Sequence, residues 1–321
     1  MIKDKRIFLT GGAGFIGTKI CERLYKDNKI LIYDNLNRNS IKQTTLLDQN
    51  NVKFIKGDIL DYRHIKNAVD DFKPEIVIHL AAIAGIDTVI KNPVQTMKVN
   101  MIGTYNIIDA VKDYIPEMDR FIDISTSEVF GSYAFKVDEQ STTNLAPVGE
   151  ARWTYSVSKL AGEHLSYSYH KEYGLPSVSV RPFNIYGPGQ VGEGAIHTFI
   201  LRALKNEDIQ IHGDGDQIRS WCYIDDFVEG LMLSLEKKEA IGNSFNIGNP
   251  RGTITISMLA QIIKNISGSK SKIIYIPKNY VDVELRIPSI DKAKQILGYN
   301  PQYDLVAGLE KTIAWYREEM K

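Results

Sequence analysis

The chain has 321 residues, 43% hydrophobic and 24% charged, which is enough for one large domain or two unequal ones around a sizeable core. Basic and acidic residues both number 39, and this zero formal charge offers no footprint for nucleic acid or an anionic membrane. Two cysteines without paired spacing and six scattered histidines argue against a disulfide framework, a zinc site and metal catalysis.

The N-terminal MIKDKRIFLTGG is charged and then apolar for only four residues. That is too short for a signal peptide or a membrane span, so it reads as a first strand and a soluble cytoplasmic protein is expected. Short apolar runs then alternate with amphipathic stretches. Strands are predicted at 6–10, 30–33, 52–56, 76–80, 121–125 and 177–181, with helices starting near Gly14, Tyr62, Pro93 and Thr154. Such alternation predicts an α/β fold: a parallel sheet covered on both faces, doubly wound by right-handed crossovers. Cys21 falls on the apolar side of the first helix and is expected in the core. After Pro182 the run NIYGPGQVGEG breaks regular structure and opens a smaller second unit. A helix at 225–235 and a strand at 244–247 are expected to return to the main sheet, and the tail carries helices at 257–266 and 306–316.

Residues 12–17, Gly-Ala-Gly-Phe-Ile-Gly, match G-x-G-x-x-G between a predicted strand and a predicted helix, and Gly11, Gly14 and Gly17 are spaced by three. Glycines permit the tight turn and let backbone N–H groups reach a pyrophosphate at a helix N-terminus. Asp34 ends the second strand, where a carboxylate meets the adenine ribose hydroxyls, with Asn35 beside it. The carboxylate would repel a 2′-phosphate and so selects NAD. Arg38 points the other way, since a basic residue accommodates that phosphate, but the balance favours NAD.

Tyr155 and Lys159 stand four apart on one face of a predicted helix. A tyrosine of pKa about 10 is a poor base at neutral pH, but a nearby ammonium and a positive nicotinamide ring would favour its phenolate. On its own, Y-x-x-x-K describes a surface tyrosine and lysine equally well. Upstream, the apolar strand at 121–125 runs into Ser125-Thr126-Ser127-Glu128, hydroxyls and a carboxylate at the C-terminal edge of the sheet, where α/β sites form.

Taken together, TGGAGFIG, HLAA at 79–82, Asn100, STSEVFG, YSVSK and RPFNIYGP resemble the extended short-chain dehydrogenase/reductase family of nucleotide-sugar enzymes. The resemblance spans nearly the whole chain. It implies a Rossmann domain (1–181 plus 225–250) and a smaller C-terminal substrate domain (182–224 plus 251–321), with NAD held and recycled in each turnover. It implies cofactor contacts from Gly11, Gly14, Phe15, Ile16, Asp34, Asn35, Asp58, Ile59, Leu80, Ala81, Ala82, Asn100, Tyr155 and Lys159. It also implies a homodimer through a four-helix bundle of the helices at 94–111 and 155–173. In this family the shared first step removes a proton from a sugar 4-hydroxyl and passes hydride from C4 to NAD. Tyr155 would be the base, with Thr126 or Ser125 bonding the same hydroxyl.

Three fates then open. Simple 4-epimerases need no further acid or base, so Glu128 points to added chemistry. In 4,6-dehydratases a glutamate at this place removes the C5 proton and water leaves from C6; decarboxylases carry a glutamate there too. Thr126-Ser127-Glu128 is similar to GDP-mannose-type dehydratases, whereas glucose-type dehydratases resemble STDEVYG and have an aspartic acid where this chain has Ser127. Residues 150–155, EARWTY, look like UDP-glucuronate decarboxylases, while 217–221, QIRSW, lean back towards the dehydratases. The whole chain also looks like the GDP-N-acetylglucosamine 4,6-dehydratases of the legionaminic-acid route. The balance favours 4,6-dehydration, then decarboxylation, then 4-epimerisation.

On the substrate side, Asn184 and Arg219 are expected to meet the diphosphate or sugar, and Arg286 the nucleotide. Arg219 reads equally as the partner of Asp225 or Asp226, and Arg152 as either a ligand or a surface charge at a helix start. A Rossmann protein that senses NAD without turnover is the alternative of a different class. Against it stands the joint presence of Thr126, Glu128, Tyr155 and Lys159.

Overall fold

The structure, a computed structural model, describes residues 2–145, 147–278 and 281–321. Seven strands form the central sheet: β1 Arg6–Thr10, β2 Lys29–Asp34, β3 Val52–Lys56, β4 Ile76–His79, β5 Arg120–Ile124, β6 Ser177–Pro182 and β7 Asn243–Ile247. All pair in parallel, in the order β7-β6-β5-β4-β1-β2-β3. The six strands expected in the first half and the returning strand at 244–247 are therefore present, within one or two residues at their ends. Successive side chains alternate across the sheet. Thus Ile7 and Leu9 join one apolar layer while Phe8 joins the other, with Ile65, Val69 and Ile107. Cys21 is fully buried in the first layer.

The helices are α1 Phe15–Leu24, α2 Tyr62–Phe72, α3 Ile86–Lys91, α4 Pro93–Met97, α5 Gly103–Val111, α6 Ala151–Tyr173, α7 Ala195–Leu204, α8 Ile224–Glu236, α9 Ile256–Ser267 and α10 Leu305–Glu319. The single helix expected over 94–111 is broken by a wide π-type turn, Lys98–Ile102, which carries the buried Asn100. Helix α6 starts at Ala151, three residues before the expected Thr154. The short α3 and α7 had no sequence signal that outweighed the glycines around them. Among the described residues, no helix is long and apolar enough to cross a membrane.

A second sheet of four strands orders Thr253–Thr255, Ile218–Ser220, Leu285–Pro288 and Tyr133–Val137 side by side. The last strand comes from the first half of the chain. It is hard to read in the sequence because it buries the small Ala134 and exposes Tyr133 and Phe135, the reverse of the usual apolar-in pattern.

The strand order reverses between β1 and β4, so the loops after these strands diverge and leave a crevice at their C-terminal ends. This crevice holds the cavity described next.

Candidate active site

A cavity of about 710 Å³ runs along the carboxyl edge of the central sheet from Asp34 to Glu128. At its floor Gly11 turns with φ +69, and a Cβ there would lie 2.6 Å from the Ala81 nitrogen. Only glycine lets the loops after β1 and β4 lie this close. A Cβ at Gly17 would meet the Gly11 oxygen at 2.5 Å and Gly12 Cα at 2.6 Å, so this glycine seats α1 on the loop. Gly14 is different: its φ is −74 and a Cβ would meet only the Gly11 oxygen, at 3.4 Å. Gly14 is thus small towards the cavity itself, at the start of α1, whose first turn has no side-chain cap. Open N–H groups and a bare backbone are what a pyrophosphate requires.

Asp34 is buried at the end of β2, with one oxygen accepting from the Ala13 N–H at 3.0 Å and the other from the Leu36 N–H at 2.7 Å. Burial raises its pKa and these backbone bonds oppose the rise. Phe15, Ile16, Asn35, Asp58, Ile59, Leu80, Ala81 and Ala82 also line the cavity. Asn100 does not. Its side chain accepts from the Ile83 N–H at 2.8 Å and donates to the Ile83 carbonyl and the Ser158 hydroxyl, both at 3.0 Å. It braces the loop after β4 against α6 from behind.

The shape, the bare glycine approach and the carboxylate at the ribose end fit a dinucleotide. Arg38, the caution on this point, turns away from Asp34. Its guanidinium donates to the Ala84 carbonyl at 2.5 Å and packs by Gly85 and Gly192. Glu193 meets the same corner, accepting from the Asp87 and Thr88 N–H groups at 2.8 and 3.1 Å and from the Thr88 hydroxyl at 2.5 Å. Ser40 donates to the Gly189 carbonyl at 2.9 Å. Three segments distant in sequence are thereby clasped over the cavity mouth. Glu193 was not readable as a site residue, since it looks like any charge in a glycine-rich loop.

At the opposite end, β5 runs into Ser125 and Thr126. The Thr126 hydroxyl accepts from the Glu128 N–H at 3.2 Å and caps the short 3₁₀ turn Ser127–Phe130. This turn presents Ser125, Thr126, Ser127 and Glu128 to the cavity, facing Tyr155 and Lys159 of α6. Burial pushes the Tyr155 phenol up to about 12; Glu128 adds to the rise, while Thr126, Arg38 and Arg286 oppose it. Burial lowers the Lys159 pKa, and the charges of Asp123 and Glu163 oppose that fall. The ammonium was expected to favour the phenolate; within the chain itself burial outweighs every cation near Tyr155.

Burial would raise the Glu128 carboxyl, but Arg152 and Arg286 more than offset it and hold the pKa below the ordinary value. Glu128 Oε1 lies 2.9 Å from Arg152 and 3.5 Å from Arg286. Arg152 also meets Asp282 at 2.8 Å, so it is a bridge between two partly buried carboxylates and no surface charge. Parallel pairing of 218–220 with 285–288 sets Arg219 directly beside Arg286. Arg286 lines the cavity and donates to the Gly131 carbonyl at 3.1 Å. Arg219 sits behind it, bonded to the Val283 carbonyl and 3.4 Å from Asp282. Its expected partners Asp225 and Asp226 are elsewhere; Asp226 accepts from the Gln302 and Tyr303 N–H groups. Asn184 lines the cavity at φ +44 and donates to the Ser220 carbonyl at 2.8 Å.

Residues 7–248 match the family model described as the NAD dependent epimerase/dehydratase family. A UDP-glucuronate 4-epimerase of Thermodesulfobacterium geofontis is 32% identical over 98% of this chain and 96% of its own length. A UDP-N-acetyl-alpha-D-glucosaminuronate decarboxylase of Bacillus cytotoxicus is 33% identical over 98% of both. The solved dTDP-glucose 4,6-dehydratase of Bacillus anthracis, in complex with NAD, superposes with a TM-score of 0.84 at 27% identity, covering 97% of this chain and 96% of that one.

Proposed function

Because the chain belongs to the NAD dependent epimerase/dehydratase family, we propose that it is a nucleotide-sugar 4,6-dehydratase, converting its substrate to a 4-keto-6-deoxy sugar. Its cofactor is NAD, for which Gly11, Gly14 and Asp34 form the cradle described above. When bound, NAD supplies a hydride acceptor, later a donor, together with a positively charged ring. Tyr155 takes the proton of the sugar 4-hydroxyl, with Thr126 and the Ser125 hydroxyl, which has no partner among the described residues, available to orient it. Lys159 holds the nicotinamide ribose and adds positive charge near the phenol.

The observation that carries dehydration is Glu128. It is a carboxylate inside the cavity, held ionised by Arg152 and Arg286, and a simple epimerisation gives it no task. A 4-keto group acidifies the neighbouring C5–H, which Glu128 then removes as water leaves from C6. In this reading residues 1–181 with 225–250 carry the cofactor. Residues 182–224 with 251–321 meet the nucleotide-linked sugar, in the cytoplasm, through Asn184 and Arg286, while Arg219, which was expected to touch it, stands behind Arg286 outside the cavity lining. GDP-N-acetylglucosamine is the first substrate to test. The apolar side chains exposed on α4, the π-type turn, α5 and α6, Val94, Ile102, Tyr105, Val157 and Tyr167, suit a homodimer through a four-helix bundle.

A specific observation favours a second reading. Arg152, Arg219 and Arg286 gather around Glu128 and Asp282, and a wall this rich in arginine suits a sugar carboxylate and hence decarboxylation. Mixing the protein with UDP-, GDP-, CDP- and dTDP-linked sugars and weighing the products decides. Loss of water supports dehydration; loss of carbon dioxide or an unchanged mass overturns it. Within the first outcome, Glu128→Gln should still reduce NAD but leave C5 without solvent deuterium. Normal deuterium uptake would remove Glu128 from its role as base.

A further inference from the structure

Behind the cavity the central sheet holds charge that the reaction above does not use. Asp123 lies within β5, fully buried, level with His79 on β4 and Ser179 on β6. Neither of its carboxylate oxygens has a hydrogen-bond partner of good geometry among the described residues, and Ser179 lends it only weak support. An anion buried this way persists only with a compensating cation.

The carboxylate faces α6. A Cβ added to Gly162 would come within 3.9 Å of Asp123 Oδ1. Gly162 is three residues beyond Lys159 and so shares its face of the helix. Lys159 is itself only 3% exposed.

Of the other charged or titratable groups packed here, Glu163 and His79 are satisfied, while Arg181 keeps one guanidinium nitrogen, Nη1, without a partner among the described residues. Glu163, the next turn of α6, accepts three hydrogen bonds of 2.8 to 3.2 Å from Arg181 on β6. His79 holds its two ring nitrogens against the hydroxyls of Thr10 and Thr104, at 2.7 and 3.0 Å, and burial keeps it neutral. With Arg181 committed to Glu163, Asp123 is the anion left without a partner, and Lys159, on the facing helix though not within 4.0 Å of it, is the cation that remains among the described residues.

We propose that Asp123 is the buried counter-ion of Lys159, a positioning residue that keeps the ammonium charged and directed along the helix face that also bears Tyr155. The inference rests on the reading of Lys159 as the cation on the cofactor side. It does not depend on whether water or carbon dioxide is lost afterwards. Burial lowers the lysine pKa, and Asp123 is the first of the groups that oppose this. Without it the lysine would tend towards the neutral amine, which can neither favour a phenolate nor act as a charged donor.

The test uses the NAD-loaded protein labelled with ¹⁵N-lysine, the Lys159 ammonium being assigned by its loss in Lys159→Met. Asp123→Asn should lower the Lys159 titration midpoint by about one pH unit or more. Reciprocally, Lys159→Met should raise the Asp123 carboxyl midpoint, read by ¹³C, by a similar amount; this arm decides if Asp123→Asn does not fold. Unchanged midpoints would overturn the pair. In Asp123→Asn the rate of NAD reduction at saturating sugar should fall about tenfold at pH values above both Lys159 midpoints and converge with the wild type below them, with the sugar KM unchanged. Shifted midpoints with an unchanged rate would leave the pair standing and overturn the role given to Lys159.

Discussion

His79 and Asp123 stand level on adjacent strands and titrate in opposite senses. Burial holds His79 at about 3, against 6.5 in an unfolded chain, so between these values the unfolded state carries the extra proton and stability falls as pH drops. Burial pushes Asp123 up to about 6 from 3.8, so there the folded state carries the extra proton and stability rises as pH drops. From about pH 6 to about pH 4 the two effects offset each other. In Asp123→Asn only the histidine remains, and stability should fall more steeply than in the wild type, by about 1.4 kcal/mol per pH unit over that range. Urea unfolding at several pH values measures this; parallel curves for the two proteins would contradict it. Legibility also differed from residue to residue. Tyr155, Lys159 and Glu128 could be read because helix spacing and a strand end place them without reference to the rest of the chain. Asp123 could not, because an acid within an apolar strand reveals its role only once the neighbouring strand and helix are in place.

The glycine loop reads as one motif, yet its members do different work. Gly17 lets the α1 backbone lie directly against the loop backbone, so Gly17→Ala should cost about 1–3 kcal/mol of stability, as overpacking does. Gly14→Ala has room and an ordinary φ; its melting temperature should stay near the wild type while NAD is lost on gel filtration. Equal destabilisation by both would show that Gly14 also serves packing. The clasp at the cavity mouth gives a second expectation. Glu193→Ala removes the acceptor for three donors on α3 and frees the loop at 187–194. Bound NAD should then exchange with added labelled NAD about tenfold faster, as the loss of roughly 1.4 kcal/mol of loop contacts implies, with the fold intact by circular dichroism. Unchanged exchange would mean that the clasp does not hold the cofactor in. Among the elements, strands with both faces buried were legible as apolar runs, whereas Tyr133–Val137 and α7 were masked, the one by an inverted pattern and the other by its glycine-rich approach.

At the scale of the whole molecule, the apolar side chains left on α4, α5 and α6 form the surface on which a dimer is proposed, Val94 being 68% exposed and Tyr105 46%. Val94→Glu combined with Ile102→Glu should convert a dimer to a monomer in sedimentation velocity without lowering NAD content. A wild-type monomer at micromolar concentration would overturn the proposal.

By itself the sequence determined the alternating architecture, the glycine loop with Asp34 at the end of β2, and the helical pair Tyr155 and Lys159, because each depends on local periodicity or on neighbours a few residues apart. Only the tertiary structure decided which charges meet. Strand register sets Arg219 beside Arg286, Arg152 reaches from α6 to Glu128 and Asp282, and Glu193 closes on a helix over a hundred residues earlier in the chain. Such pairs are made by packing surfaces that no short window of sequence contains, and buried charge takes its meaning from the partner it finds there.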